Sequence, residues 1–370
     1  MSLQGIRTVA ALELRQRRRT SRWPIVLGAW VVLVALVTWL TWRAVHTLEG
    51  TAGSTLYDVL TFFVLGLSML IMPSLTATSI NGDREHGVLA TLQTTLLSPS
   101  DIVVGKLVAS VTVALAFLAT ALPFLGIAYA AGGLSFGRIV LSLVVLVLVL
   151  TVVCAIGLMF SSLTARPVSS AVLTYLSVAG LVFGTAIAFG LTAFLVMDTE
   201  QVKVHGVPEA WYQEHQGGFD PNGNPVVPTS ADCTVFTRPM EVAHTERTWW
   251  LLPLNPFVVV ADAAPPQPAK TTRDMVLSAF TPMQWISEGA RQARRGADRT
   301  STREECYFGD ASGQPPLDTP TGQAANRAAT GPVWPFGLAF LLVIGVGATG
   351  VSLLRTRTPI RRLPNGTRIA

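Results

Sequence analysis

Long apolar runs separated by short polar segments dominate the chain. Six of these runs are long enough to cross a bilayer, since a hydrocarbon core of about 30 Å needs about 20 apolar residues in helical form. They are residues Pro24–Trp42, Leu60–Ile80, Leu107–Ala131, Ile139–Leu163, Val168–Met197 and Val333–Leu354. The pattern therefore predicts an all-α integral membrane protein with six transmembrane helices.

The composition supports this class. Apolar residues make up 50% of the chain and charged residues only 13%, whereas soluble domains carry about 25% charged residues. None of the six runs contains Asp, Glu, Lys, Arg or His, so the chain lacks the intramembrane relay expected of an ion-coupled transporter. The nearest ionisable residues are expected at the span ends, in reach of water: Arg43, Asp58, Lys106 and Arg138.

Basic residues at both termini predict the orientation. Residues 1–23 combine apolar positions at helical spacing, Leu3, Ile6, Val9 and Ala10, with a following cluster of arginines. This pattern favours an amphipathic helix in the membrane interface over a frayed basic tail. The tail 355–370 holds five arginines and no acid, so the positive-inside rule places both termini in the cytoplasm of a multi-pass plasma-membrane protein. Anionic membrane lipids account for these basic residues, and no nucleic-acid role is expected.

The segment 198–332 is the large polar stretch of the chain and is predicted to be an irregular extracytoplasmic domain. It holds 11 Lys or Arg and 16 Asp or Glu, and it is rich in Pro and Gly. Its apolar part, Trp249–Ala264, is too short and too proline-broken to span, and is expected to lie in the interface or to cover the bundle. Cys233 and Cys306 either form a disulfide, if this face is oxidising, or remain free thiols.

The polar segment 81–106, between the second and third spans, is the candidate functional site. Asn81 or Asp83 is predicted to cap a helix that runs to about Leu97. Proline disfavours helix in the residue before it, so Ser98-Pro99 is predicted to end this helix. Ser100 is then expected to cap the next helix, and Lys106 to reach the headgroups. A polar loop between two spans needs such caps whatever its function.

The residues of this segment resemble a known signature. The matching positions are Arg84, Glu85, Gly87, Val88, Leu89, Leu92, Ser98, Pro99, Ser100, Ile102, Gly105 and Lys106. In this succession the chain resembles ABC-2 type transporter permeases, the membrane subunits of type-2 ABC exporters. The resemblance implies a coupling helix that seats in a groove of an ATPase subunit. Its contacts would be Arg84, Glu85, Gly87, Val88, Leu89 and Leu92, with Pro99, Ser100 and Lys106 at the loop end and the next helix.

The resemblance implies a permease subunit of an ATP-driven exporter, paired with a second copy or a sister permease. ATP and Mg²⁺ would bind the partner ATPase, because the only fragment here that resembles a phosphate-binding loop, Val104–Leu107, lacks the upstream glycine and the hydroxyl. No catalytic, cofactor or metal site is expected on this chain. The alternative is a membrane scaffold or regulatory subunit with an extracytoplasmic sensing domain and no transport of its own. A membrane enzyme or a channel is disfavoured, because no catalytic set or selectivity filter is recognisable.

Overall fold

The computed structural model describes residues 2–19, 22–46, 52–85, 97–132, 134–214, 228–264, 281–296, 302–306 and 331–356. The chain divides into two compact units. The first unit consists of Met1–Ile187, Leu251–Ala290 and Pro332–Ala370, and the second of Ala188–Trp250 and Arg291–Gly331.

The first unit is a helical bundle. Its helices are α1 Leu3–Arg19, α2 Arg22–His46, α3 Ala52–Thr76, α4 Ser79–Glu85, α5 Pro99–Ala130, α6 Phe136–Leu163, α7 Pro167–Ala179, α8 Thr185–Leu195, α10 Pro256–Ala263, α11 Pro282–Arg295 and α12 Trp334–Thr356. The C-terminal parts of α8 and α11 belong to the second unit. Among the described residues, six helical segments are long and apolar enough to cross a membrane, in agreement with the predicted class and number of spans. The helix α1 lies within the predicted N-terminal segment 1–23.

Helix α6 occupies the middle of the bundle. Its side chains at Val149, Leu150, Val152 and Val153 are almost completely buried, and it packs against α3, α5 and α12. Between Val145 and Ser162 none of its residues is exposed, and a helix covered on every side needs apolar residues on every side.

The directions of α3 and α5 define the two ends of the bundle. At one end, Gly53 of α3 lies against the backbone of Ala128 and Gly132. At the other end, Ser79, just beyond α3, contacts Lys106 near the start of α5. We call the end with Gly53 the far end and the end with Ser79 the near end; the two helices run antiparallel between them.

The apolar segment Trp249–Ala264 does not span. Its helix α10 packs against α6 and α12, and the Phe257 ring lies 5.2 Å from that of Phe62 on α3. The part Pro256–Ala263 therefore covers the bundle, which is one of the two positions predicted for this stretch. Because Leu251–Ala290 belongs to the first unit, the predicted single domain 198–332 is divided in the structure, and the hydrophobic surface of this segment is the reason.

The second unit contains a three-stranded sheet in the order β2-β1-β3, where an irregular segment was predicted. Strand β1, Met197–Gly206, pairs antiparallel with β2, Thr234–Ala243. Strand β3, Arg303–Glu304, lies parallel to β1 on its other side. A short helix, α9, Glu209–Glu214, follows β1 in the chain.

A disulfide joins Cys233 and Cys306 in the second unit across a sequence separation of 73 residues. Closing a loop of this length is worth about 4 kcal/mol. We expect thiol alkylation of the denatured, unreduced protein to modify Cys154 alone, and Cys233→Ser to make Cys306 reactive. Alkylation of Cys233 and Cys306 in the unreduced wild-type chain would contradict this expectation and would place the unit in a reducing compartment.

Candidate functional site

The near end of the bundle holds a buried group of charges. The ammonium of Lys106 lies 2.9 Å from Glu13 Oε2 on α1 and 2.6 Å from Asp83 Oδ2 on α4. It also donates to Ser79 Oγ at 3.3 Å. We call Glu13, Ser79, Asp83 and Lys106 the loop base, because they lie where the segment 81–106 begins and ends.

Lys106 does not reach toward headgroups as predicted. Only 1% of it is exposed, because α5 begins at Pro99 and α1 lies across its first turns. Asp58, also predicted at a wet span end, is buried with 3% exposed. A buried ammonium is tolerated only with close, hydrogen-bonded counter-charges, and the two carboxylates of the loop base supply them.

Glu13 links two cations of the near end. Burial raises the pKa of its carboxyl, but Lys106 and Arg17 outweigh burial and hold the pKa below its ordinary value. The ion pairs therefore stabilise the fold at neutral pH, and they lose this contribution only as the pH falls through the lowered pKa. Arg17 also donates to the carbonyl of Leu75 at 3.1 Å, in the last turn of α3, where a cation is favoured.

The start of α5 is fixed by Ser98 and not by Ser100 as predicted. Ser98 Oγ accepts from Asp101 N, and the Asp101 carboxylate accepts from Ser98 N at 3.0 Å, which forms a capping box. Pro99 is the first residue of α5, a position where its fixed φ is favourable. The preceding helix that Ser98-Pro99 was predicted to end lies outside the described residues. The other carboxylate oxygen of Asp101 accepts from Ser2 N at 2.8 Å, so the same side chain also holds the beginning of α1.

The other end of the segment is fixed to α6. Helix α4 begins at Ser79, so Asn81 and Asp83 lie within it and neither caps it. Ser161 Oγ accepts from the backbone N–H of Ile80 at 2.9 Å and of Asn81 at 3.1 Å, and it donates to Asn81 Oδ1. Two otherwise unpaired donors in the first turn of α4 are thereby satisfied.

The predicted contact residues fall mostly beyond these anchors. Arg84 is half-buried and Glu85 is exposed in the last turn of α4. Gly87, Val88, Leu89 and Leu92 lie outside the described residues. Ser100, predicted as a cap, shares a hydrogen bond with Ser98 Oγ at 2.8 Å. The structure thus gives two anchored ends, Ser79–Glu85 and Ser98–Lys106, on either side of the predicted contact segment.

At the far end, two carboxylates fasten the segment Leu251–Ala290 to the bundle. Asp58 of α3 accepts from the backbone N–H of Met283 and of Gln284, each at 3.0 Å, and so caps α11. Asp262 of α10 is completely buried and accepts from the N–H groups of Val333 and Trp334 at the start of α12. Its second oxygen accepts from Ser287 Oγ at 3.0 Å.

Asn255 makes a third attachment at a break in the fifth span. Between α7 and α8 the helix passes through a π-turn, Gly180–Gly184. A π-turn displaces the regular hydrogen-bond ladder and is common at functional sites. Asn255 Nδ2 donates to the carbonyl of Val182, inside the turn, at 2.7 Å, and to Thr185 Oγ1 at 3.2 Å.

Part of the membrane region is similar to a known family of transport proteins. Residues 38–206 match the family model described as ABC-2 family transporter protein. Over these residues, which make up just under half of the chain, it is similar to the membrane subunits of ABC-2 type transporters. No curated protein matches the chain. The matched range includes α3 to α8 and the whole predicted coupling segment, so the similarity covers the part of the chain that holds most of the loop base.

Permeases of this family are transport components that work with ABC ATPase subunits and are not themselves catalytic. The sequence did not predict Glu13 and Asp83 as partners of Lys106. Their signal in the sequence is that Glu13 is the only acid in a run rich in arginine. A single acid in such a run indicates a carboxylate that faces the bundle and pairs with a cation there.

The contact between α1 and α5 depends on a residue without a side chain. A Cβ at Gly105 would lie 2.7 Å from Val9 Cβ and 3.1 Å from the Ile6 carbonyl oxygen. We expect Gly105→Ala to cost about 1–3 kcal/mol through overpacking and to loosen α1. The measurement is the rate of trypsin cleavage at the arginines of α1, together with the thermal midpoint.

Gly126→Ala is the matched control for this prediction. Gly126 lies on the same helix, and nothing lies within 4 Å of a Cβ built there. Alanine favours helix over glycine, so this variant should be as stable as the wild type or more so. Equal cleavage of the two variants would contradict the packing argument.

Proposed function

We propose that the chain is the permease subunit of an ATP-driven exporter. A separate ATPase subunit binds the segment that follows Arg84, and ATP and Mg²⁺ are held by that subunit alone. Two membrane subunits, either two copies of this chain or this chain and a sister permease, form the substrate pathway. The segment 81–106 and both termini face the cytoplasm of a plasma-membrane protein.

The observation that carries this proposal is the attachment of both ends of the segment to the bundle. The Glu85 end is tied to α6 through Ser161 and to Lys106 through Asp83. The Leu97 end continues into α5 through the Ser98 cap. A displacement of the residues between these ends would therefore act on α1, α3, α5 and α6 together rather than be absorbed by a loose loop.

The proposed mechanism follows from these attachments. When ATP draws the ATPase subunits together, each moves the segment that it holds. Lys106 joins α1 and α4 to α5 in a buried ion-pair group, so the displacement shifts these helices as one body. The side chains of the permease make and break no covalent bond; they transmit motion and provide the pathway.

ATP hydrolysis in reconstituted vesicles tests this proposal. The ATPase that co-purifies with the chain is assayed alone, with the wild-type permease, and with a Glu85→Ala, Leu89→Ala, Leu92→Ala variant. We expect the wild-type permease to change the hydrolysis rate several-fold and the variant to leave it at the value of the ATPase alone. If the ATPase binds but its rate is the same with and without the permease, the scaffold alternative is supported instead.

A further inference from the structure

The face of α1 that turns away from the bundle is strongly basic. Arg7, Arg15 and Arg18 are exposed, and at about 100° of rotation per residue they fall within an arc of roughly 80°. Gly5 and Val9 are buried on the opposite side, where α1 meets α5. The helix therefore has a packed face and an arginine face.

No acid on α1 neutralises this arginine face. The only acid of the helix, Glu13, lies on the packed side, where its carboxylate binds Lys106 and Arg17. Exposed apolar side chains flank the arginines: 87% of Leu3 and 39% of Leu12 are accessible. Guanidinium groups beside exposed leucines suit a bilayer surface, with the leucines at the acyl boundary and the guanidinium groups on the phosphates.

The position of α1 favours lipid over an acidic protein as the occupant. The helix ends at Arg19 and α2 begins at Arg22, and the first candidate span starts at Trp23. Arg15 and Arg18 therefore lie within about two turns of the point where the chain enters the membrane. Tryptophan at this point is typical of the membrane–water interface.

We propose that Arg7, Arg15 and Arg18 form a binding face for anionic phospholipid headgroups, and that the bound lipid holds the loop base in its observed arrangement. The claim that bound lipid holds the loop base rests on the proposed function and on the two faces of α1. The same helix that presents the arginines supplies Glu13 to Lys106 and covers Gly105. Lipid bound on one face thereby stabilises the contacts on the other.

Lipid preference is measured on the permease alone, without the ATPase. The probes are spin-labelled phosphatidylglycerol and spin-labelled phosphatidylcholine in phosphatidylcholine bilayers. The wild-type chain should prefer the anionic probe, and the preference should weaken with salt. Arg7→Gln, Arg15→Gln and Arg18→Gln combined should lower the preference at least fivefold, since one arginine near the surface is worth about 1 kcal/mol. Arg247→Gln, an exposed arginine of the second unit, should leave the preference unchanged.

The outcomes separate the lipid face from the proposed function. A folded triple variant, with the wild-type thermal midpoint and an unchanged lipid preference, overturns the proposal. If that variant also loses a bound ATPase, the arginine face docks an acidic protein surface instead. For the second clause, hydrolysis by the assembled complex should be higher in vesicles containing phosphatidylglycerol than in phosphatidylcholine alone, and the triple variant should lose this difference. If the triple variant shows the same difference in hydrolysis between the two kinds of vesicle as the wild type, the claim that bound lipid holds the loop base is wrong. The exporter proposal is not affected by that result.

Discussion

Lys106→Met is expected to abolish retention of the proposed ATPase subunit and to lower the thermal unfolding midpoint of the chain in detergent. The side chain of Lys106 is 1% exposed, and its two carboxylate partners, Glu13 and Asp83, are 12% and 20% exposed. Methionine keeps the volume but leaves two acids facing each other in a largely buried site. Removing one partner of a buried ion pair costs about 3–5 kcal/mol, and here it releases α4 and α1 from α5.

Two variants control for this prediction. Lys203→Met removes an exposed lysine from β1 in the second unit and should change neither the midpoint nor the retained ATPase. Lys106→Met combined with Glu13→Gln and Asp83→Asn removes all three charges and should recover most of the lost stability, since a neutral buried set is often as stable as an ionic one. A Lys106→Met permease that keeps both the wild-type midpoint and its ATPase would contradict the role of the loop base.

Asp262→Ala is expected to cause the second large loss. The carboxylate of Asp262 is completely buried and accepts from Ser287 Oγ and from the backbone N–H groups of Val333 and Trp334. Alanine leaves these donors without their acceptor, and each unsatisfied buried group costs about 1–3 kcal/mol. The variant should show a lower thermal midpoint and faster proteolysis of the segment Leu251–Ala290, because α10 is no longer fastened to α11 and α12.

Asp262→Asn tests whether the hydrogen bonds of Asp262 or its negative charge hold the segment in place. An asparagine oxygen in the place of Oδ2 still accepts from Val333 and Trp334, and its amide can donate to Ser287 Oγ. This variant should keep most of the wild-type midpoint. Equal losses in the alanine and asparagine variants would show that the negative charge, and not the hydrogen-bond geometry, holds the segment.

The membrane part was predictable because its signal is long and repeated. Each span needs about 20 apolar residues, and no other element of a protein has this pattern, so all six spans were found. The ends of the spans were harder to predict. The second span was predicted from Leu60, whereas α3 begins at Ala52 and includes Asp58, because a charge inside a helix is accepted when the neighbouring α11 supplies donors to it.

The geometry of the loop base lay beyond the sequence for a related reason. A lysine near the end of an apolar run is expected to reach toward headgroups, unless another element covers it. Helix α1 covers Lys106, and its packing depends on the absence of a side chain at Gly105. The sequence spacing between Glu13 and Lys106 carries no sign of this contact. The cap was predicted at Ser100, two positions too late, because Pro99 was not considered as the first residue of α5.

The sheet of the second unit was missed because its strands are far apart in the chain and interrupted by unfavourable residues. Strand β2 contains Pro239 opposite Gln201 of β1, and proline argues against a central strand. In the sheet order β2-β1-β3, β2 is an edge strand, where proline is tolerated. The polar, turn-rich composition of 198–332 therefore concealed a short sheet, while the pairing of Cys233 with Cys306 was among the alternatives that the sequence left open.

Affinity purification of the tagged permease from its own membranes tests the central claim most directly. The wild-type chain is compared with the Glu85→Ala, Leu89→Ala, Leu92→Ala variant, and thermal midpoints confirm that both are folded. We expect a stoichiometric ATPase with a phosphate-binding loop in the wild-type sample and its loss from the variant. A folded wild-type chain that retains no ATPase, or a variant that retains it fully, would contradict coupling through the segment 81–106.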